Sequence, residues 1–534
     1  MIDHNAEPLY LLADRVIPLD DAAVPTPAPV AVSVANGRIE AIGRPDQVRP
    51  KPGVRTLDLA TTTLTPGLVD AHIHLSEWAL ARHEIDLSRA PTPEEAVRMV
   101  SGARDRAGTG WIRGRGWNPH LWDGRAPDRS LLEGATEAGV AVALQSHDMH
   151  ALWVNGEALR RAGITAATAD PAGGRIVRDA SGEPTGLLLE NAAELITRVV
   201  PVPQPGDVAD AVVEAQSVLH GYGITGVHAL PSIHIPEPEP LTTIETVRTS
   251  GRLRLRVLQH LPLRMLEDAI RIGLRSGFGG EWIRIGGVKM FLDGALGSRT
   301  AWMSDAYQGD RERFGVQTME RGEFSYHVRM AAAAGFATTV HAIGDAAVGL
   351  ALDVLSDSAL AVEAMPHRIE HVQCCPAERM REAGANGITC SVQPAHLITD
   401  WSIADRHWGQ TRARSTYAFR ALLEGGAVLA FGSDAPVEPA DPRLGLYAAV
   451  TRMTPAGVPA GGWFPEHCLT AEEALRGYTR GPALAAGRPR QGRLAVGMPA
   501  DIVAWDRDMT RCAPQELLTL RAVATLVGGE IVHN

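Results

Sequence analysis

His72 and His74 stand two residues apart in Pro66-Gly-Leu-Val-Asp-Ala-His-Ile-His-Leu75. On an extended strand such a pair projects to one side, and neutral imidazole is the commonest metal ligand. With 19 histidines in 534 residues, about one such spacing is expected by chance. The pair therefore needs partners before it means anything. Candidates follow at intervals: Lys289 in Val288-Lys-Met-Phe-Leu-Asp-Gly294, His341 in Thr338-Thr-Val-His-Ala-Ile-Gly-Asp345, His371 in His367-Arg-Ile-Glu-His-Val-Gln373 and Asp434 in Phe431-Gly-Ser-Asp-Ala-Pro436. Four histidines, a lysine and an aspartate brought to one place suit a hydrolytic metal centre.

What would bring them together is a barrel. Eight apolar runs read as strands: Leu68–His74, Ile224–Leu230, Leu253–His260, Ile283–Leu292, Ala337–His341, Arg368–Gln373, Ile388–Val392 and Val428–Ser433. Helix-like segments at Pro93–Arg106, Val208–His220, Tyr326–Ala334 and Ala346–Ser356 alternate with many of them, the signature of βα units around a parallel sheet. Closed into a (β/α)8 TIM-like barrel, strands one, four, five, six and eight would deliver the six candidates to the C-terminal mouth, where barrel active sites sit.

Both chain ends read differently. Leu9–Pro18, Val30–Val34 and Arg38–Ile42, with a turn at Asn36-Gly37, are short strands, as are Gly492–Val496, Asp501–Trp505, Ala522–Val527 and Glu530–His533. The expected organisation is a small β-sandwich domain built from residues 1–65 and 487–534, around a barrel of residues 66–486. Residues 84–201 exceed one helix by far and read as an insertion after the first strand, a subdomain over the mouth. Proline-rich Val24–Val30 and Pro236–Pro240 read as loops.

Composition narrows the function. The formal net charge of −11 argues against nucleic acid or an anionic membrane as partner. Five cysteines without C-x-x-C spacing suggest neither a disulfide framework nor a thiolate zinc site, and fit a reducing cytoplasm. No signal peptide or transmembrane run is evident. The expected partner is a small-molecule substrate, with a homodimer as the candidate assembly.

The chain resembles the amidohydrolase superfamily, and more closely its amidohydrolase-3 branch, the YtcJ-like and N-substituted-formamide-deformylase-like proteins. Beyond the candidate ligands the resemblance rests on Gly114-Arg-Gly-Trp117, Ser146-His-Asp-Met-His-Ala-Leu-Trp-Val-Asn155, Lys289-Met-Phe-Leu-Asp-Gly-Ala-Leu-Gly-Ser-Arg-Thr300, Val392-Gln-Pro-Ala-His396 and Gly497-Met-Pro-Ala-Asp-Ile-Val503. It implies two metals per chain, zinc first, with other divalent metals such as manganese or iron compatible with these donors. His72 and His74 would bind one with Asp434, and His341 and His371 the other. Lys289 would bridge them as an N-carboxylysine, because an ammonium has no lone pair to donate. It further implies hydrolysis of an amide-like C–N bond, of N-acyl or N-formyl type, through a metal-bound hydroxide, with Asp434 as general base and then acid.

Alternatives stand beside this. Lys289 in an ordinary ion pair with Asp434 or Asp293 would leave one metal. The same centre would also serve a lactone, carbamate or cyclic amide, and the scaffold would also suit a catalytically silent binding or regulatory protein. Further residues are candidates for meeting substrate: His147, His150, His228, His396, and Arg299, whose guanidinium would grip a carboxylate. Trp117 and Trp153 would either wall an apolar pocket or lie in a core.

Overall fold

The computed structural model describes residues 7–20, 28–103, 110–123, 125–232 and 240–534. Most of the loops expected at Val24–Val30 and Pro236–Pro240, and the end of the helix expected at Pro93–Arg106, lie outside the described residues.

Eight parallel strands form the centre. They are β1 (Leu68–Ile73), β2 (Ile224–Ala229), β3 (Arg256–Pro262), β4 (Ile283–Phe291), β5 (Thr338–Ala342), β6 (Arg368–His371), β7 (Thr389–Val392) and β8 (Val428–Phe431). They are hydrogen-bonded in chain order from β1 to β8. Each packs helices on one face and the barrel interior on the other, so the strands read as continuous apolar runs without alternation. Closure between β8 and β1 comes just beyond the ladder: Asp434 N donates to His72 O at 2.7 Å and His74 N to Ala435 O at 3.0 Å. Gly432 makes that approach possible. A Cβ there would lie 2.4 Å from His72 N, far inside van der Waals contact.

Most strands stop a residue or two short of the expected ends, with a visible cause at β6. His371 and Val372 have φ of +71° and +44°, a left-handed conformation in which a strand cannot continue. The surrounding helices bury apolar faces. In Asp345–Leu355, Val348, Leu352 and Leu355 lie on one side at helical spacing, all buried against the sheet. Replacing Leu352 by alanine would cost about 2–5 kcal/mol.

The chain termini meet in one seven-stranded mixed sheet. Its order is Glu530–His533, Ala522–Val527, Ile502–Trp505, Arg55–Pro66, Leu9–Val16, Val30–Ala35, Arg38–Gly43. The central strand Arg55–Pro66 was not expected from sequence, and it leads directly into β1. Expected strand Gly492–Val496 is irregular. There Leu494 N instead donates to Pro18 O at 2.9 Å, outside any ladder.

The segment after β1 folds as its own six-stranded sheet, ordered Gly174–Arg178, Pro184–Glu190, Ala151–Val154, Ala141–Ser146, Trp111–Trp117, Ile85–Asp86. Its residues His147 to His150 line the chamber at the barrel mouth. Arg115 reaches down from the same sheet, donating to Ala81 O at 3.3 Å and Pro436 O at 3.5 Å. Among the described residues all five cysteines are free thiols. No helix among them is long and apolar enough to cross a membrane.

Candidate metal centre

His72, His74, Lys289, His341, His371 and Asp434 all line one chamber of about 580 Å³ at the C-terminal ends of the strands. Each arrives by local geometry. His72 ends β1 pointing inward, and His74 follows at the first turn of helix Leu75–Ala81. Lys289 projects from β4, His341 from β5 and His371 from the strained end of β6. Asp434 sits just past β8 with φ of +61°, a conformation that Asp tolerates better than most residues. Strain of this kind persists only where the surroundings impose it.

The imidazoles are pinned. His72 Nδ1 is hydrogen-bonded to Glu370 Oε2, His74 Nδ1 to Pro231 O at 2.6 Å, His371 Nδ1 to Gln393 Oε1 at 2.8 Å and His341 Nε2 to Gly294 O at 3.0 Å. Every partner atom is an oxygen acceptor, so each ring must donate its N–H there. The opposite nitrogen then carries a lone pair. This is how protein ligands to metals are oriented, by a carbonyl or carboxylate behind the ring.

Asp434 faces the free nitrogens of His72 and His74. His72 Nε2 lies 3.1 Å and His74 Nε2 3.3 Å from its Oδ1, while His396 Nε2 lies 3.6 Å and His371 Nδ1 4.0 Å from its Oδ2. Despite the proximity, Nε2 of His72, His74 and His396 are buried without a well-formed hydrogen bond. Buried acceptors facing a carboxylate are unfavourable alone, and a divalent cation between them offsets that cost. The donor set fits a metal. Two groups have ligand atoms within 4.8 Å of one another: His72, His74 and Asp434, and His371, His396 and Asp434.

The second group differs from the set implied by the resemblance. His396, taken from sequence as a substrate contact, stands beside His371 with ring centroids 6.0 Å apart. His341 is close to His371, at 4.5 Å between centroids, but its Nε2 is engaged by Gly294. Lys289 forms no ion pair among the described residues. Its Nζ lies 4.7 Å from the centre of the Phe291 ring, and burial lowers its pKa to about 8.

Electrostatics follow burial. Burial holds His341 and His371 well below their ordinary pKa and also lowers His74. At His72 burial pulls the same way, but the carboxylates of Asp434 and Glu370 outweigh it and raise the pKa. Burial pushes Asp434 up, yet its imidazole neighbours, His72 foremost, bring it well below the usual carboxylate range.

Several residues escaped sequence reading. Glu370 holds His72 and is itself held by Arg368, whose guanidinium also reaches Ser391 Oγ at 2.7 Å and His228 Nδ1 at 2.9 Å. His228 thus lies against this buried charge pair. Alternation of Arg368 and Glu370 within an apolar strand was the available signal, since buried charges are rarely without a partner. Asp70 accepts from His72 N, Ser433 N and Ser433 Oγ at 3.1, 3.0 and 2.6 Å, tying β1 to the loop after β8. Asp293 accepts from Gly344 N at 2.7 Å and lies 3.5 Å from His341 Nε2.

The insertion roofs the chamber with His147, Asp148, Met149 and His150. His150 Nδ1 binds Glu190 Oε2 at 2.8 Å, and its ring lies 5.8 Å from that of His341. His147 Nε2 is 3.5 Å from Glu438. Trp117 is 2 % exposed. It stacks on Trp122 and donates to Leu144 O at 2.7 Å, so it belongs chiefly to the insertion's core, with one edge on an outer chamber that Arg299 also lines.

Comparison with known proteins agrees with this geometry. The model of the Amidohydrolase family matches residues 55–533. YtcJ of Bacillus subtilis (strain 168) is 30% identical over 531 residues, covering 94% of this chain and 96% of that protein. The N-substituted formamide deformylase of Arthrobacter pascens is 28% identical, covering 94% and 95%. The crystal structure of an uncharacterized metal-dependent hydrolase from Pyrococcus horikoshii superposes with a TM-score of 0.76 at 26% identity, covering 95% of this chain and 99% of that one. The chain belongs to the amidohydrolase family, in its amidohydrolase-3 branch.

Proposed function

We propose that this protein is a metal-dependent hydrolase that cleaves the C–N bond of an amide-like small molecule, of N-acyl or N-formyl type. The observation that carries the reading is the pinning of four imidazoles by acceptor oxygens. A binding protein has no use for two imidazole lone pairs turned on one carboxylate, with further pinned imidazoles beside them. Kinship with a formamide deformylase supports the choice of bond.

His72, His74 and Asp434 would hold one metal and His341 and His371 the second, with His396 close enough to share it. Zinc is the first choice for nitrogen and oxygen donors at a hydrolytic centre. A divalent metal bound there supplies Lewis acidity and a water that ionises near neutral pH.

The protein's own groups do the rest. Water adds to the carbonyl carbon, the C–N bond breaks, and one proton must pass from that water to the departing nitrogen. Asp434 would make this transfer: its carboxyl is held well below the usual carboxylate range and lies near both His72 and His371. His150, held protonated by Glu190 with a pKa of about 9 against the opposing effect of burial, would donate from the roof to a substrate oxygen. Lys289 would carry the bridging carboxylate: its amine adds CO2 and loses one proton to give a carbamate. The lowered pKa supports this, because only the neutral amine adds CO2.

The test is hydrolysis by chelated and metal-reloaded protein, over matched formamides, acetamides, carbamates and lactones. Metal-dependent turnover of the amides is expected to exceed that of the carbamates and lactones. Turnover confined to lactones would overturn the choice of bond, and tight ligand binding without turnover would overturn the enzyme.

A further inference from the structure

The metal chamber opens into a second, larger space of about 1260 Å³, and five residues line both: His147, Asp148, Gly297, Thr399 and Asp400. The two form one channel. Asp148 and Asp400 stand where the two spaces meet, with Glu438 in the metal chamber, and these acids already have donors. Ser146 Oγ serves Asp148 at 2.6 Å, Gln373 and Tyr417 serve Asp400 at 2.7 Å, and Thr399 serves Glu438 at 2.8 Å. Apolar Leu187, Leu189 and Ile403 line the second space.

Arg299, Arg406, His120 and His407 line the outer end. Among the described residues neither arginine has an ion pair. Asp310, near Arg299, is taken by Arg313 at 3.1 Å. His120 and His407 have ring centroids 6.2 Å apart. Burial pushes His407 down to about 4, and the positive field of Arg299, His120 and Arg406 adds to it. The loop presenting Arg299 is fixed rather than loose. Arg299 has φ of +58°, its N–H donates to Leu296 O at 3.0 Å, and the hydroxyls of Ser298 and Thr300 bond at 2.8 Å. A left-handed arginine held this way, with its charge uncompensated, is strain of the kind kept at binding sites.

Resting on the hydrolase reading above, we infer that the substrate amide carries a carboxylate beyond an apolar spacer, and that Arg299 binds this carboxylate at the outer end of the channel, with Arg406 and His120 beside it. The substrate is thereby oriented, its amide at the histidines and its carboxylate outward. A planar guanidinium suits a carboxylate bidentately.

The experiment uses N-acetyl ω-amino acids of increasing chain length and N-acetyl aromatic amino acids, each beside its primary carboxamide. Binding to the metal-free chain is measured by calorimetry, and kcat/KM with the metal-loaded enzyme. At the best spacer the acid is expected to be favoured about tenfold or more over its carboxamide, the scale of a charge-assisted hydrogen bond. Arg299→Gln is expected to reduce that preference to about twofold or less, and Arg406→Gln, at an exposed position, to reduce it partially while folding normally. A series in which no acid outdoes its carboxamide overturns the inference, and so does a preference that survives Arg299→Gln. Arg299-dependent binding of acids without turnover upholds the inference and removes the hydrolase reading. Turnover indifferent to the charge does the reverse.

Discussion

His72 Nδ1 and Glu370 Oε2 are hydrogen-bonded across the barrel interior, joining β1 to β6 over 298 residues of sequence. Both side chains are fully buried. The carboxylate fixes the ring so that Nε2 faces Asp434, and raises the ring's electron density for a cation. Glu370→Gln keeps the shape but removes the charge. Metal affinity, measured by competition with a chelating dye, is expected to fall about 10- to 100-fold. Arg368 would lose its charged partner in the same variant, so a lowered melting temperature is expected too. Unchanged metal affinity would mean that Glu370 serves Arg368 alone.

Asp434→Asn tests the proton transfer when its metal content is matched to that of the wild type. Asn tolerates a left-handed backbone nearly as well as Asp, so the φ of +61° does not by itself unfold the variant, as a β-branched residue there would. The amide cannot accept and release the proton. A fall in kcat of about 10²–10⁴ is expected, with secondary structure intact by circular dichroism. A kcat within tenfold of wild type would place the proton transfer on another group, with His150 and His396 next in line.

The barrel was legible because parallel strands buried on both faces leave long apolar runs, and the six polar candidates stood at the ends of those runs. Strand Arg55–Pro66 was not legible. Its stretch Thr61-Thr-Thr63 resembles a loop, and its partner strand Leu9–Val16 changes register between Ala13 and Arg15, which breaks the expected pairing. Pro231 and Gly294 fix two imidazoles through backbone carbonyls, and a carbonyl has no signature in sequence. Glu370 and Gln393 were hidden differently: Glu370 sits between Arg368 and His371 in a short strand, and Gln393 just past the end of β7, where neither type announces a ring to hold. His396 was noticed for its type but placed with substrate, because nothing in the chain between β7 and β8 says that the loop folds back onto His371.

Lys289→Met tests the bridging carboxylate through stoichiometry. Lys289 is buried, without an ion pair among the described residues, and its amine is half neutral near pH 8. Methionine fills similar volume without a nitrogen. The wild type is expected to hold two metals per chain by elemental analysis, and the variant one or none, with activity reduced at least about 100-fold. Two metals retained in the variant would show that the histidines and Asp434 suffice, and would remove the carbamate.

The roof of the chamber gives a pH prediction whose sign can be worked through. His147 and His150 each have a folded pKa of about 9, where burial opposes and the partners Glu438 and Glu190 prevail. Their unfolded value is near 6.5. Between those values the folded chain holds protons that the unfolded chain releases, so stability is full below about pH 6.5 and is lost as pH rises toward 9. Each group contributes a slope of about 1.4 kcal/mol per pH unit within the window. Melting temperatures of the metal-free chain from pH 6 to 9.5 are therefore expected to decline. His150→Gln is expected to start lower at pH 6 and decline less steeply, because glutamine can bond to Glu190 but does not titrate. Parallel curves for the two proteins would mean that His150 is neutral in the folded state, and a neutral imidazole would donate to substrate only through the tautomer that gives up its bond to Glu190.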